Sequence, residues 1–215
     1  MKIFIDSGDV QAIEKAAETG LVSGVTTNPN KIARSGRKFF DVLQDICRII
    51  PDHISAEVMA EDAPGMVEEA LIIKEIGPQI VIKVPMTAEG LKAVPILEKE
   101  KDIRVNVTMC FSPTQALLAM KSGASYLSIV LSRLDAVASE SEILVAETMT
   151  IKHNYGFQTS IIAGSVKTQN HLLACARRGL DIVTMPDSLF FQMFEHPLTD
   201  IALEGFVKDW EKVPK

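Results

Sequence analysis

A lysine stands inside "IVIKVP", where Ile80, Val81, Ile82, Val84 and Pro85 have the composition of a buried strand. Lysine is among the residues least often fully buried. An isolated ammonium in apolar surroundings is costly enough that it tends to lose its proton. Two explanations of Lys83 compete. It could snorkel from a strand end, or pair with Glu57 as a structural ion pair. Alternatively it is a nucleophile. An amine attacks a carbonyl only when neutral, and burial favours that form. The protonated imine that results is an electron sink, through which a neighbouring C–C bond can break. Such chemistry needs a proton shuttle. Glu57, one strand earlier, is a candidate, directly or through a water, and Asp6 is a second carboxylate.

A phosphorylated substrate would also need an anion site. Arg133, Ser165 and Lys167 come late in the chain, the last just ahead of Thr168 and its helix. Loops this late, with a helix N-terminus, often hold phosphate in barrel folds. Arg133 and Lys167 could also be ordinary surface charges, with Asp135 as a salt-bridge partner for Arg133.

These residues need elements to place them. Short β-rich runs alternate with helical patterns from end to end: "KIFI", "SGVTT", "ISAEVM", "IVIKV", "IRVNVTM", "SYLSIV", "TSIIAG" and "DIVTM". Eight strands, each followed by a helix, predict an α/β protein with a (β/α)8 barrel, in which chemistry sits at the C-terminal strand ends. A doubly wound open sheet is the competitor. It would usually have fewer units, and no glycine-rich phosphate loop is present. The strand ends carry, in order, Asp6, Thr26 with Asn28, Glu57, Lys83, Asn106 with Thr108, Ser128 and Ser165. Each alone has a plain reading: Asp6 as a helix cap, Thr26 and Asn28 as a turn before Pro29, Ser128 as filler in a narrow barrel. Their shared position is what suggests a site.

Local signals mark the helices. "DVQAIEKAAETG" puts Val10, Ile13 and Ala17 on one face and stops at Gly20. "SPTQALLAMKSG" has Ser112 as N-cap, Pro113 at the first helical position, Gln115 completing a capping box and Gly123 as the stop. Thr168 and Gly179 bracket another helix. Pro95 lies inside a helical pattern and predicts a kink or a late start. No composition shift divides the chain, so residues 1–215 are expected to form one barrel domain. A helix over 197–211 follows it, with Ile201, Leu203, Phe206, Val207 and Trp210 needing a surface to cover.

The 215 residues carry a formal net charge of −6, which argues against a nucleic-acid partner. No apolar run is long enough to span a bilayer, so no membrane association is expected. The opening "MKIFIDSG" reaches an acid too early for a signal peptide. Cys47, Cys110 and Cys175 make no even framework, which fits a reduced cytoplasm. The four histidines show no ligand spacing, so no metal site is expected.

The sequence resembles the transaldolase family, in its short single-domain branch that includes fructose-6-phosphate aldolases. The resemblance covers almost the whole chain and is carried by "GVTTNP", "SAEVMA", "IVIKVPMTAEGLKAV", "NVTMCFSPTQALLA", "SRLDA" and "HPLTDIALEGFVKDW". It implies a mechanism without metal or cofactor, in which Lys83 forms the Schiff base. Asp6 matches the carboxylate that assists proton transfer. Glu57 matches the acid–base glutamate that holds a catalytic water together with Thr108. Asn28, Asn106 and Ser128 match residues that bind donor hydroxyls. Arg133, Ser165 and Lys167 fall at the phosphate site, where the family often has Arg in place of Lys167. The implied substrates are sugar phosphates of the pentose phosphate pathway. The implied assembly is a homo-oligomer, a pentamer or decamer, with the C-terminal helix on a neighbour.

Some positions depart from the family pattern. "SPFVGR" is here "SIVLSR", so Val130 replaces an aromatic residue, "DTAN" is "DSGD", and "ASIRHP" is "GSVKTQ". Aldolases of this branch usually carry Gln where this chain has Glu57, which favours transaldolase. An aldolase that releases free dihydroxyacetone is the alternative. A sugar-phosphate-binding protein with weakened catalysis is the alternative from another class.

Overall fold

Side chains on a β-strand alternate between two faces, and each strand of this chain puts different chemistry on each face. The structure is a computed structural model that describes residues 1–214. Its strands are β1 (Lys2–Asp6), β2 (Val22–Thr26), β3 (His53–Glu57), β4 (Ile80–Pro85), β5 (Val105–Cys110), β6 (Tyr126–Val130), β7 (Ser160–Gly164) and β8 (Ile182–Met185). They pair in chain order, all parallel, and β8 closes on β1. This is the eight-stranded α/β barrel expected from the alternation, and the open sheet is excluded.

One parity faces outward under the helices. Ile5, Ile54, Ile82, Val107, Ile129 and Ile161 belong to a large apolar core shared with them. The other parity faces the barrel axis. Low in the barrel, Phe4, Ile162 and Ile182 form a separate apolar cluster against Tyr126. Higher up, the inward positions turn polar: Thr26, Ser55, Asn106, Ser128 and Thr184 are all buried. Gly24 lies beside Phe4, and a Cβ there would sit 2.7 Å from the phenyl ring. Glycine at this position is what gives that ring room inside the barrel.

The helices are α1 (Val10–Ala17), α2 (Pro29–Ser35), α3 (Phe39–Ile49), α4 (Ala63–Lys74), α5 (Ala88–Pro95), α6 (Pro113–Ser122), α7 (Ser132–Asp135), α8 (Ser141–Tyr155), α9 (Gln169–Arg177), α10 (Asp187–Gln192) and α11 (Pro197–Trp210). Asp9 caps α1 by accepting from the Gln11 and Ala12 N–H groups, so Asp6 is not a cap. Ser112 caps α6 as expected, accepting from the Gln115 N–H. The reciprocal bond differs from the capping box. Gln115 Oε1 accepts from the Phe111 N–H at 2.8 Å, one residue before the cap. Pro95 does not delay α5, which starts at Ala88, but it is the last residue of that helix. The chain continues past it as one π-helical turn, Ile96–Glu100. None of the residues of α11 is buried, and Phe206 and Trp210 are about 70% exposed. Among the described residues, no helix is long and apolar enough to cross a membrane.

His53 sits between the Phe4 and Tyr126 rings, at centroid distances of 4.7 and 4.5 Å. Its Nε2 bonds to Ser55 Oγ at 2.7 Å, and its Nδ1 has no hydrogen-bond partner. Burial, with a smaller push from Arg104, drives its pKa down to about 3. The folded ring therefore stays neutral where the unfolded ring, with an ordinary value near 6.5, takes up a proton. Stability from this group is fully present above pH 6.5 and is lost as the pH falls toward 3. Between pH 6 and 4 its share of the slope should approach roughly 1.4 kcal/mol per pH unit. Urea unfolding at several pH values should show a flatter dependence in His53→Phe. An unchanged slope would assign the acid sensitivity elsewhere.

Candidate active site

The polar inward positions open into a cavity of about 480 Å³ at the C-terminal ends of the strands. All the residues singled out from the sequence line it except Asn106. Glu57 and Lys83 are register partners on β3 and β4, so their side chains leave the sheet side by side. Lys83 is only 8% exposed. Its Nζ donates to the Thr27 carbonyl at 3.2 Å and lies 3.4 Å from Glu57 Oε2. The ion pair considered as a structural explanation is thus present, and it lies on the cavity wall.

Asp6 and Thr26 are also register partners. Thr26 Oγ1 donates to Asp6 Oδ1 at 3.3 Å and shares a 2.7 Å bond with Thr184 Oγ1 across β1. The other Asp6 oxygen is 3.4 Å from Lys31 Nζ. Asn28 is the N-cap of α2, its Oδ1 accepting from the Lys31 N–H at 3.0 Å. The turn role weighed for Asn28 is therefore real, and its amide nitrogen remains available to the cavity. Asn106 lies one layer deeper and is fully buried. It donates to Ser55 Oγ at 3.1 Å and accepts from Ser128 Oγ at 2.9 Å. Ser128 is therefore more than filler.

On the far side of the mouth, Arg133 lies in α7 and Ser165 follows β7. Their segments are tied together: Ser132 Oγ bonds Ser165 Oγ at 2.6 Å, and the Ser132 N–H donates to the Ser165 carbonyl at 3.3 Å. Ser165 adopts φ 56°, a left-handed conformation uncommon for a residue with a Cβ. Asp135 is engaged by Ser141 and His171 rather than by Arg133. Burial raises the Asp135 carboxyl, but the Ser141 hydrogen bonds and the His171 ring outweigh it and hold it below the usual range. Among the described residues, Arg133 and Lys167 pair with no carboxylate, so both cations remain open to a ligand.

Sequence reasoning missed several lining residues. Thr184 follows from strand parity in β8, at the position where the other strands carry polar residues. Lys31 and Arg34 are one helical turn apart on α2, and nothing in their spacing distinguishes them from a solvated face. Met109 lines the cavity because the backbone turns at φ 60° where the β5–β6 register shifts. Cys110 ends β5, but burial pushes its thiol up to about 11, which argues against a thiolate nucleophile. No group of three or more His, Cys, Asp or Glu side chains among the described residues could hold a metal ion.

The Lys83–Glu57 pair carries a stability signature that is independent of chemistry. Removing either partner leaves the other charge only partly solvated, whereas removing both leaves none. Lys83→Met and Glu57→Gln should each lose about 1–3 kcal/mol. The double variant should lose less than the sum of the two. Strict additivity in thermal or urea unfolding would mean that the groups do not interact.

A family model described as transaldolase/fructose-6-phosphate aldolase matches residues 3–214. A probable transaldolase from Geotalea uraniireducens is 52% identical over 215 residues, covering 100% of both chains. One from Aquifex aeolicus is 50% identical, covering 100% of this chain and 99% of its own. One from Anaeromyxobacter dehalogenans is 49% identical with the same coverage. Among solved structures, thiamine phosphate pyrophosphorylase from Pyrococcus furiosus aligns with a TM-score of 0.60 over 86% of this chain and 85% of its own. At 14% identity, that likeness reports the barrel alone. The extent of the family match and three full-length relatives at about half identity agree with the strand-end residues: the chain belongs to the transaldolase/fructose-6-phosphate aldolase family.

Proposed function

We propose that this protein is a transaldolase that moves a dihydroxyacetone unit between sugar phosphates through a Schiff base at Lys83. The observation that carries the reading is the placement of the Lys83 amine. It is buried on the cavity wall, 3.4 Å from the Glu57 carboxylate, with the Asp6 carboxylate lining the same cavity. In this scheme the neutral amine adds to the ketone of sedoheptulose 7-phosphate. Glu57, through a water held with Thr108, supplies the proton for loss of hydroxide as water, leaving an iminium. Asp6 takes the proton of the hydroxyl on the carbon beyond the scissile bond. That bond breaks, erythrose 4-phosphate departs, and the electron pair is held as an enamine on Lys83. The enamine attacks glyceraldehyde 3-phosphate, whose carbonyl oxygen takes the proton held by Asp6, and hydrolysis of the new iminium releases fructose 6-phosphate and the free lysine. Asn28 and Ser128 orient the donor hydroxyls, and Arg133, Ser165 and Lys167 bind the phosphate.

Transfer is favoured over release of free dihydroxyacetone by two residues. Release requires a proton to reach the enamine carbon. Val130, on the cavity wall, brings no hydroxyl there. Glu57 can hold a water in protonation states that a glutamine cannot reproduce. Borohydride added with fructose 6-phosphate should fix a reduced three-carbon unit on Lys83, located by peptide mass mapping. Lys83→Met should lose both label and activity, and EDTA should leave activity intact. A label on Lys31 instead, whose amine is 3.4 Å from Asp6, would move the assignment. If the unmodified protein liberates dihydroxyacetone faster than it transfers it, the protein is an aldolase.

The same proposal extends to a homo-oligomer, a pentamer or decamer, in which α11 lies on a neighbouring copy. Its support is the exposure of Leu198, Ile201, Phe206, Val207 and Trp210, each above 60%. Isolated surface apolar residues are normal, but five this exposed on one helix leave apolar surface for a neighbour to cover. Light scattering should give a mass five or ten times that of the chain. Phe206→Asp with Trp210→Asp should lower it. A monomer in the unmodified protein would refute the assembly.

A further inference from the structure

Helices α6 and α9 begin in the same unusual way. Each has a hydroxyl N-cap, Ser112 or Thr168, which accepts from the N–H three residues on. In each, the side chain of that third residue reaches back past the cap to accept from the N–H of the residue before it. In α6 the acceptor is Gln115 Oε1, on the Phe111 N–H. In α9 it is His171 Nδ1, on the Lys167 N–H at 3.3 Å. Glutamine meets this capping requirement, and an imidazole does so with one nitrogen only. Because Nδ1 accepts, the ring proton is on Nε2. That nitrogen lies 2.8 Å from Asp135 Oδ2 in α7.

The second arm has consequences for the cavity. Asp135 is itself fixed, accepting from the Ser141 N–H and Oγ, both at 3.1 Å. His171 is mostly buried, its side chain 17% exposed. The hydrogen-bonded path runs from the Lys167 backbone through the imidazole to Asp135, two residues after Arg133. It closes a ring with the contacts between Ser132 and Ser165. Arg133, in α7, and Lys167 sit on separate connections, after β6 and β7. A point charge and a guanidinium fork grip one phosphate only if their loops keep a fixed separation.

We propose that His171 is a positioning residue that clamps the β6 and β7 loops together, so that Arg133, Ser165 and Lys167 converge on a single phosphate. The inference rests on the phosphate site assigned above and extends it to a residue that does not line the cavity. His171 touches no substrate, so its effect should be confined to phosphorylated ligands.

The test uses His171→Asn. The asparagine oxygen falls where Nδ1 is and preserves the cap on the Lys167 N–H, but the side chain is too short to reach Asp135. The preference of the enzyme, kcat/KM for fructose 6-phosphate over that for unphosphorylated fructose, should fall roughly tenfold, the scale of one lost hydrogen bond to a charged group. The loss should appear in KM, with kcat nearly kept. Inhibition by sulfate should weaken in parallel. Asp135→Ala removes the acceptor from the other side and should give the same signature, and the double variant should add little. Arg133→Ala separates the two readings. If it abolishes the preference while both His171→Asn and Asp135→Ala leave it unchanged, the clamp is wrong and the phosphate site stands. If Arg133→Ala itself leaves the preference intact, the phosphate assignment fails and the clamp falls with it.

Discussion

The ammonium of Lys83 is held in a strand whose other residues are apolar, and two acceptors make that position tenable. Glu57 lies beside it on β3. The Thr27 carbonyl arrives from the end of β2, across the intervening strand. Thr27 is fixed there because its N–H and its hydroxyl both donate to the Ser55 carbonyl, at 3.0 and 2.8 Å. The pairing of β2 with β3 therefore aims the oxygen that receives the lysine on β4. A buried charge left unpaired would cost several kcal/mol, so the barrel order around Lys83 is part of what allows it to be there at all.

The polar interior that accommodates the lysine needs its own continuity. From the cavity wall downward, Ser128 donates to Asn106, Asn106 donates to Ser55, and Ser55 bonds His53. The chain of bonds descends from the mouth to the floor and links β6, β5 and β3. Half-satisfied polar networks destabilise cores, and this one leaves a loose end only at His53 Nδ1. It ends there because the next layer down is apolar, built from Phe4, Tyr126, Ile162 and Ile182. Asn106 thus has a structural task even where a resemblance suggests contact with substrate, since both ends of its amide are already engaged.

The barrel was legible because closure imposes one rule on all eight strands. Alternation separates "IVIKV" into outward Ile80, Ile82 and Val84 and inward Val81 and Lys83, and the same parity places Asp6, Thr26, Glu57 and Ser128 inside. Depth was not legible. Parity says that Asn106 and Thr108 both point inward, but which of them meets the cavity depends on the stagger between strands. The contributions of α2 were hidden for a different reason: Lys31 and Arg34 have ordinary helical spacing and acquire a role only because Asn28 starts the helix at the rim. The π turn after Pro95 and the backward reach of Gln115 were missed because both are resolved by local geometry. A proline's absent N–H can be absorbed by widening the next turn, and a glutamine can satisfy the N–H before the cap as well as that of the cap.

Two of the four left-handed non-glycine residues among those described lie at the mouth. Ser165 and Met109 both adopt left-handed backbone conformations, at φ 56° and 60°, and both border the cavity. Such conformations cost of order 1 kcal/mol each for residues with a Cβ and persist only where the surroundings over-determine them. For Ser165 the surroundings are visible. Five register pairs lock β6 to β7 up to Val130 and Gly164, and Ser132 then holds both the carbonyl and the hydroxyl of Ser165. The strain turns the chain sharply enough to point a serine at the cavity instead of continuing the strand. This divides the labour within one fold. The paired lysine belongs to the sheet, with Glu57 as its register partner on β3. Of the groups proposed to meet the phosphate, Ser165 belongs to a strained turn, whereas Val130 ends β6 paired with Gly164, so a valine there in place of an aromatic residue reshapes the cavity wall from within the sheet register.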